Sequence, residues 1–168
     1  MTQRVLQPLS LKGRALRLLA QREHSRQELE RKLRSHAAGP QELEALLDAL
    51  EAEGWLSDER FAEALGRQRA ARYGLRRVRA DLRAKGVDET LIRATLASLE
   101  GSEADRARQA WTRKFGQPPR SAAERARQIR HLLAKGFAPD LVARVVPRAE
   151  VPVDEGNEDP LSEAHEPE

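Results

Sequence analysis

The chain has no cysteine among its 168 residues, which removes disulfides, thiolate metal sites and cysteine nucleophiles and fits a reducing compartment, by default the cytoplasm. Aromatic residues are scarce, two Trp, one Tyr and three Phe. That disfavours both a deep aromatic-lined catalytic pocket and a platform on which nucleic-acid bases stack. No apolar run approaches the roughly 20 residues a membrane span needs, and residues 1–19 lack a cleavable signal pattern, so neither membrane insertion nor secretion is expected. Runs of alternating β-branched and aromatic residues are missing too, which leaves no basis for a sheet. The four histidines, His24, His36, His131 and His165, form no His-Glu-x-x-His pair, and without cysteine no zinc set remains. The two Ala-Lys-Gly sequences at 84–86 and 134–136 lack the strand, Gly-rich turn and Lys-Ser/Thr of a phosphate-binding loop. Asp58 and Glu59 suit a first helical turn better than paired acid–base chemistry. No catalytic residue, metal or cofactor is therefore expected, and the protein reads as a non-enzyme.

What the sequence has in quantity is charge. Lys and Arg number 30 and Asp and Glu 27, but eight of the acids, from Glu150 to Glu168, fall in the last 19 residues. The first 149 residues thus carry 30 basic and 19 acidic side chains, an excess of +11 that biases them toward polyanions or acidic protein surfaces. Most of the cations are Arg, whose planar fork suits phosphate and carboxylate oxygens, although genome base composition also enriches Arg and Ala. Residues 150–168, with Pro152, Gly156, Pro160 and Pro167, show no amphipathic pattern and are expected to be a disordered acidic tail.

Hydrophobic residues recur with a helical period almost everywhere, so the expected fold is all-α. Leu11, Ala15, Leu18 and Leu19 make a first stripe. Ser25 and Glu28 form a capping box ahead of Leu29 and Leu33, and Pro40 opens a helix carrying Leu43, Leu46, Leu47 and Leu50 that stops at Gly54. Ser57 caps a helix running to about Gly74, with Leu56 and Phe61 spaced as a hydrophobic staple. Val78 and Leu82 mark the next helix, which closes at Gly86, and Asp88 caps one carrying Leu91, Ile92, Leu96 and Leu99. Ser102 is expected to start a helix with Ala107, Trp111 and Phe115 on one stripe. Ser121 and Glu124 form another box before Ile129, Leu132 and Leu133, and Leu141, Val142, Val145 and Val146 lie on a last helix. Leu82 to Val87 recurs as Leu132 to Phe137, which indicates a duplicated unit. The division that follows is an N-terminal extension (1–10), three-helix modules at 11–54, 55–100 and 101–149, and the tail at 150–168. Modules of about 45 to 50 residues are too small to be comfortably stable alone, so neighbours must support one another.

Candidate binding residues come from charge at helical spacing. Between Arg67 and Lys85 the bases Arg69, Arg72, Arg76, Arg77, Arg79, Arg83 and Lys85 stand against the single acid Asp81. Arg76, Arg79 and Arg83 share a helix face while Val78 and Leu82 take the core side, and Arg69 and Arg72 share a face of the preceding helix. Solvated faces usually alternate sign, and like charges at this spacing repel, so an uncompensated stripe points to an external anion. A thinner stripe from Arg127, Arg130 and Lys135 is expected to extend it into a discontinuous basic track. With Tyr73 the one aromatic expected to be exposed, contacts with nucleic acid would go to phosphates, hence be nonspecific and salt-sensitive.

Several segments together resemble the RecX family, bacterial regulators of the RecA recombinase. His24-Ser25-Arg26-Gln27-Glu28-Leu29 resembles the opening helix signature, and residues 54–62, Gly-Trp-Leu-Ser-Asp-Glu-Arg-Phe-Ala, resemble the central one. Residues 73–87 resemble the segment that follows, with Lys135-Gly136-Phe137 as its echo, and the likeness covers about residues 11 to 147. Leu75 and Arg76 depart from the family's Pro-containing turn, and the acidic tail lies outside its pattern. The resemblance implies an elongated, curved array of three-helix modules that binds in the groove of the RecA filament on single-stranded DNA as a monomer. It implies inhibition of filament growth, ATP hydrolysis, strand exchange and LexA-cleavage coactivation. Two further readings stand beside it: a stand-alone nonspecific DNA-binding protein, and a structural adaptor whose Arg face only solubilises the helices. For the tail, competition for the basic track and simple solubilisation are both open.

Overall fold

The computed structural model describes residues 9–149, and within them nine α-helices, one short 3₁₀ turn and no strand. The first three are α1 (Leu11–Leu19), α2 (Arg26–Leu33) and α3 (Pro40–Ala52), with the 3₁₀ turn at Arg34–His36. Next come α4 (Asp58–Ala70), α5 (Leu75–Ala84) and α6 (Glu89–Glu100), and then α7 (Glu103–Lys114), α8 (Ala122–Ala134) and α9 (Pro139–Val145). Each triplet closes on its own core. The first gathers Ala15, Leu29, Leu33, Leu43, Leu47, Leu50 and Leu56. The second gathers Phe61, Val78, Leu82, Val87, Ile92 and Leu96 around Ala62 and Ala70, and the third gathers Ala107, Leu132, Phe137, Leu141, Val142 and Val146. The fold is thus all-α, a tandem array of three-helix bundles. The expected acidic tail lies outside the described residues.

Short polar side chains start these helices by supplying acceptors to the first free backbone N–H groups. Ser10, Ser25, Ser57, Asp88 and Ser121 accept from Gly13, Glu28, Arg60, Thr90 and Glu124 respectively. Gly54, Gly86 and Gly136 turn the chain after α3, α5 and α8 with φ of +78°, +75° and +88°, a region where a Cβ is disfavoured.

Several local expectations need correction. The fourth helix ends at Ala70, so Arg72 sits in the turn beyond it rather than on a face shared with Arg69. Ser102 does start α7 as its N-cap residue, but its hydroxyl donates back to the Leu99 carbonyl instead of accepting from the first turn. Leu56 belongs to the first core and Phe61 to the second, so the pair marks a change of module rather than a staple within one. Trp55 is the most exposed large apolar side chain among the described residues, at 55 %, whereas Tyr73 is half-buried.

The modules are joined by a contact that occurs twice. The Lys-Gly turn before the last helix of one module rests on the start of the middle helix of the module before it. At the first joint the Ser25 hydroxyl donates to the Lys85 carbonyl at 2.7 Å, and Gly86 lies against Gln27. At the second joint the Gly74 N–H donates to the Lys135 carbonyl at 3.0 Å, and the Arg76 N–H donates to Gly136 at 3.2 Å. There the backbones touch, for a Cβ on Gly74 would stand 2.4 Å from the Gly136 carbonyl carbon. The Ala-Lys-Gly repeat therefore caps helices and also couples modules, so capping alone does not account for it.

Candidate functional site

The stripe on the second module is largely compensated. Asp81 lies between two guanidiniums, with Arg69 Nε 3.1 Å from its Oδ2 and Arg77 Nε 3.3 Å from its Oδ1. The approach of Arg69 is an ion pair without hydrogen-bond geometry. Glu89, at the start of α6, accepts from Arg79 at 2.7 Å and from Arg83 at 2.8 Å. The Arg83 hydrogen bond, with the positive charge of Arg79 and Arg93 nearby, holds the Glu89 carboxyl below its ordinary range. Lys85 reaches across the first joint to Glu28 at 2.6 Å. The uncompensated stripe expected from spacing is therefore corrected at Arg69, Arg77, Arg79, Arg83 and Lys85. Asp81 lies on α5 itself, whereas Glu89 and Glu28 come from other helices, beyond the view of any window on α5.

Arg72 and Arg76 remain exposed, with no acidic partner among the described residues. Arg127 and Arg130 are likewise exposed on α8. Since two carboxylates, Asp81 and Glu89, answer four arginines, the second module keeps a surplus of positive charge. The exposed pairs to Glu89 contribute roughly 0 to 1 kcal/mol each, so an incoming anion displaces them at small cost, while the less exposed Asp81 and Glu28 hold their cations more firmly.

A second group of cations lies where the second and third modules meet, around a cleft of about 430 Å³. Arg72 approaches from the turn after α4, and Arg106, Arg113 and Lys114 from α7. His131 and Lys135 approach from α8 and the turn beyond it, while Ala70, Ala110 and Phe137 supply apolar wall. No acid lines it. Tyr73 is flanked by charge, with Arg77 and Lys135 each 5.6 Å from its ring centroid. Arg106 Nη1 donates to the Leu99 carbonyl at 3.0 Å and to the Ser102 hydroxyl, but its buried Nε and Nη2 find no partner among the described residues. Buried His131 Nε2 is in the same position. Burial, then the charges of Lys135 and Lys114, push the imidazole below its ordinary pKa, and burial does the same to Arg106 against the pull of Glu103.

Of the residues singled out by spacing, Arg72 and Lys135 are brought together here, while Arg127 and Arg130 do not line the cleft. Arg106, Arg113, Lys114 and His131 were missed. They are scattered over two helices with no charged stripe, and only the tertiary joint gathers them. Among the described residues no group of His, Asp and Glu is placed to hold a metal ion, and no helix is long and apolar enough to cross a membrane.

Family models match the chain in three consecutive stretches: the RecX first three-helix domain at 12–50, the second at 57–96 and the third at 102–146. A regulatory protein RecX of Ralstonia nicotianae is 47 % identical over 152 residues, which cover 90 % of this chain and 96 % of that protein. One of Leptothrix cholodnii is 48 % identical over 149 residues, covering 89 % and 95 %. In fold, the crystal structure of RecX from Lactobacillus salivarius superposes with a TM-score of 0.71 at 20 % identity, covering 80 % of this chain and 91 % of that one.

Proposed function

The chain belongs to the RecX family of regulatory proteins, and from that premise we propose that it is a non-enzymatic regulator of the RecA recombinase in the cytoplasm. It binds the groove of RecA filaments on single-stranded DNA and restrains filament growth. ATP hydrolysis, strand exchange and LexA-cleavage coactivation fall in consequence. The contact is made by the basic faces of the second and third modules: Arg69, Arg72, Arg76, Arg77, Arg79, Arg83 and Lys85, then Arg127, Arg130 and Lys135. The observation that carries this reading is the surplus of guanidinium groups over carboxylates on the second module, with Arg72 and Arg76 unmatched. Arg79 and Arg83 take part by exchanging the exposed Glu89 carboxylate for one on the filament, a near-neutral trade in water. Arg69, Arg77 and Lys85 keep their less exposed partners Asp81 and Glu28 and add charge at longer range.

The pairing dictates how to test it. Reversing Arg79 or Arg83 places a new carboxylate beside Glu89 and strains the module itself. Arg72→Glu with Arg76→Glu breaks no ion pair. The double variant should inhibit RecA-dependent ATP hydrolysis at least tenfold more weakly at an unchanged circular dichroism spectrum. Full inhibition by it would reject the basic face as the contact. The cleft between the modules favours a second reading, nonspecific binding to DNA phosphates without the recombinase. Equal affinity for bare and RecA-coated strands at physiological salt would support that reading instead.

A further inference from the structure

Three buried nitrogens around the cleft between the second and third modules have no hydrogen-bond partner among the described residues: Nε and Nη2 of Arg106, and Nε2 of His131. A buried donor without a partner is costly, most of all on a charged group. The guanidinium is not loose, because Nη1 is anchored to the Leu99 carbonyl and to Ser102. The side left over, Nε with Nη2, is the one that presents two parallel N–H donors to two oxygens of an oxyanion. His131 is held edge-on against Phe115, with centroids 5.4 Å apart, which fixes its ring. Neutral imidazole offers an N–H at Nε2 in one of its two tautomers.

The surroundings select the ligand. Arg72, Arg113, Lys114 and Lys135 line the same cleft and no carboxylate does, so an anion relieves repulsion that water leaves in place. The donors arrive from the α4 turn, from α7 and from the α8 end, hence from several sides. That suits a tetrahedral group, whereas both oxygens of a carboxylate are used by the Arg106 fork alone. Tyr73 already has cations at 5.6 Å from its ring, which argues against base stacking and for recognition of phosphate alone.

We propose that the cleft between the second and third modules is a phosphate-binding site, with Arg106 and His131 as its inner donors and Arg113, Lys114 and Lys135 as its charged rim. The phosphate comes from the backbone of a single strand or from free phosphate. The proposal does not rest on the recombinase reading, since it requires no other protein.

The test uses the full chain alone and follows the Arg106 Nε–H and the His131 imidazole by nitrogen NMR during titration with inorganic phosphate, with a ten-residue oligothymidylate, and with a Glu-rich peptide. Both resonances should move saturably with inorganic phosphate or with the oligonucleotide, and the His131 pKa should rise when the site fills. A response at least tenfold tighter to the oligonucleotide assigns the strand as the source; a response to inorganic phosphate at equal or lower concentration assigns the free ion. Arg113→Glu with Lys114→Glu changes only exposed rim residues and should weaken either response at least tenfold at an unchanged fold. Resonances that neither phosphate probe moves would mean that water fills the cleft, and would overturn the proposal, as would an equal or stronger response to the Glu-rich peptide.

Discussion

At Glu28 one buried carboxylate serves two modules. Its N–H donates to the capping Ser25 hydroxyl at 3.1 Å, but the carboxylate does not return to the cap as a capping box expects. It accepts instead from Arg22 at 2.9 Å and from Lys85 of the next module at 2.6 Å. Burial alone would raise its pKa, and these two cations outweigh that and hold it at about 2, against an ordinary 4.5. Because the folded pKa lies below the unfolded one, the stabilisation is present above about pH 4.5 and is lost as pH falls toward 2. His24, also buried, has its pKa lowered by desolvation. It must take up a proton on acid unfolding, so its share is lost earlier, as pH falls below its ordinary 6.5. Denaturant midpoints should therefore decline below neutrality and again below about pH 4.5. Glu28→Gln should remove the second decline and cost about 2 kcal/mol at pH 7, a figure discounted for the half-exposed Arg22. The sequence signalled Ser25 and Glu28 by their spacing. It held no sign of Lys85, 57 residues away, as the partner.

Among elements, the helices were readable because caps and apolar periods are local, and the joints were not because each half of a joint looks like an ordinary helix end. Gly54, Gly86 and Gly136 have similar positive φ but different surroundings, which allows strain and coupling to be separated. A Cβ on Gly54 meets nothing within 4 Å, so Gly54→Ala should cost only the left-handed backbone term, about 1 kcal/mol. On Gly86 it meets the amide end of Gln27 at 2.7 Å, which can swing away, and the Gln27 Cβ at 2.9 Å, which cannot. On Gly136 it meets Cβ and backbone N of Arg77 at 2.6 and 2.7 Å, which cannot. Gly136→Ala should therefore lose about 3 kcal/mol in urea unfolding, with Gly86→Ala between the two. Equal losses for all three would mean that the joints carry no stability. The basic stripe follows the same logic. Its cations were visible at a spacing of three and four, while Glu89 and Glu28, which neutralise part of it, belong to other helices.

For the molecule as a whole, charge separation along the chain has a measurable effect. Cutting after Ala149 removes eight acids and no Lys or Arg, and leaves an excess of +11. Affinity for bare single-stranded DNA at low salt should rise, and log affinity should fall more steeply with log salt than for the full chain. Identical salt slopes for the two proteins would show that the last residues do not act on the basic surface. Tandem triplets were legible from the recurrence of Leu82–Val87 at Leu132–Phe137, because a repeated core needs repeated apolar positions. The inter-module cleft was not, since its lining is drawn from separate stretches of both neighbours.

The joint also has a direction. Each Lys-Gly turn inserts backwards, into the start of a middle helix one triplet upstream, where a cap residue receives it: a hydroxyl at Ser25, a peptide N–H at Gly74. Two similar steps taken head to tail use different surfaces on the two partners, so one contact leaves both outer surfaces free for another, unlike a two-fold interface. Such a polymer-like rule means that gaining or losing a whole triplet needs no new interface. It also means that the pitch of the array is set by a few backbone atoms, so that a substitution at one socket re-aims everything downstream of it.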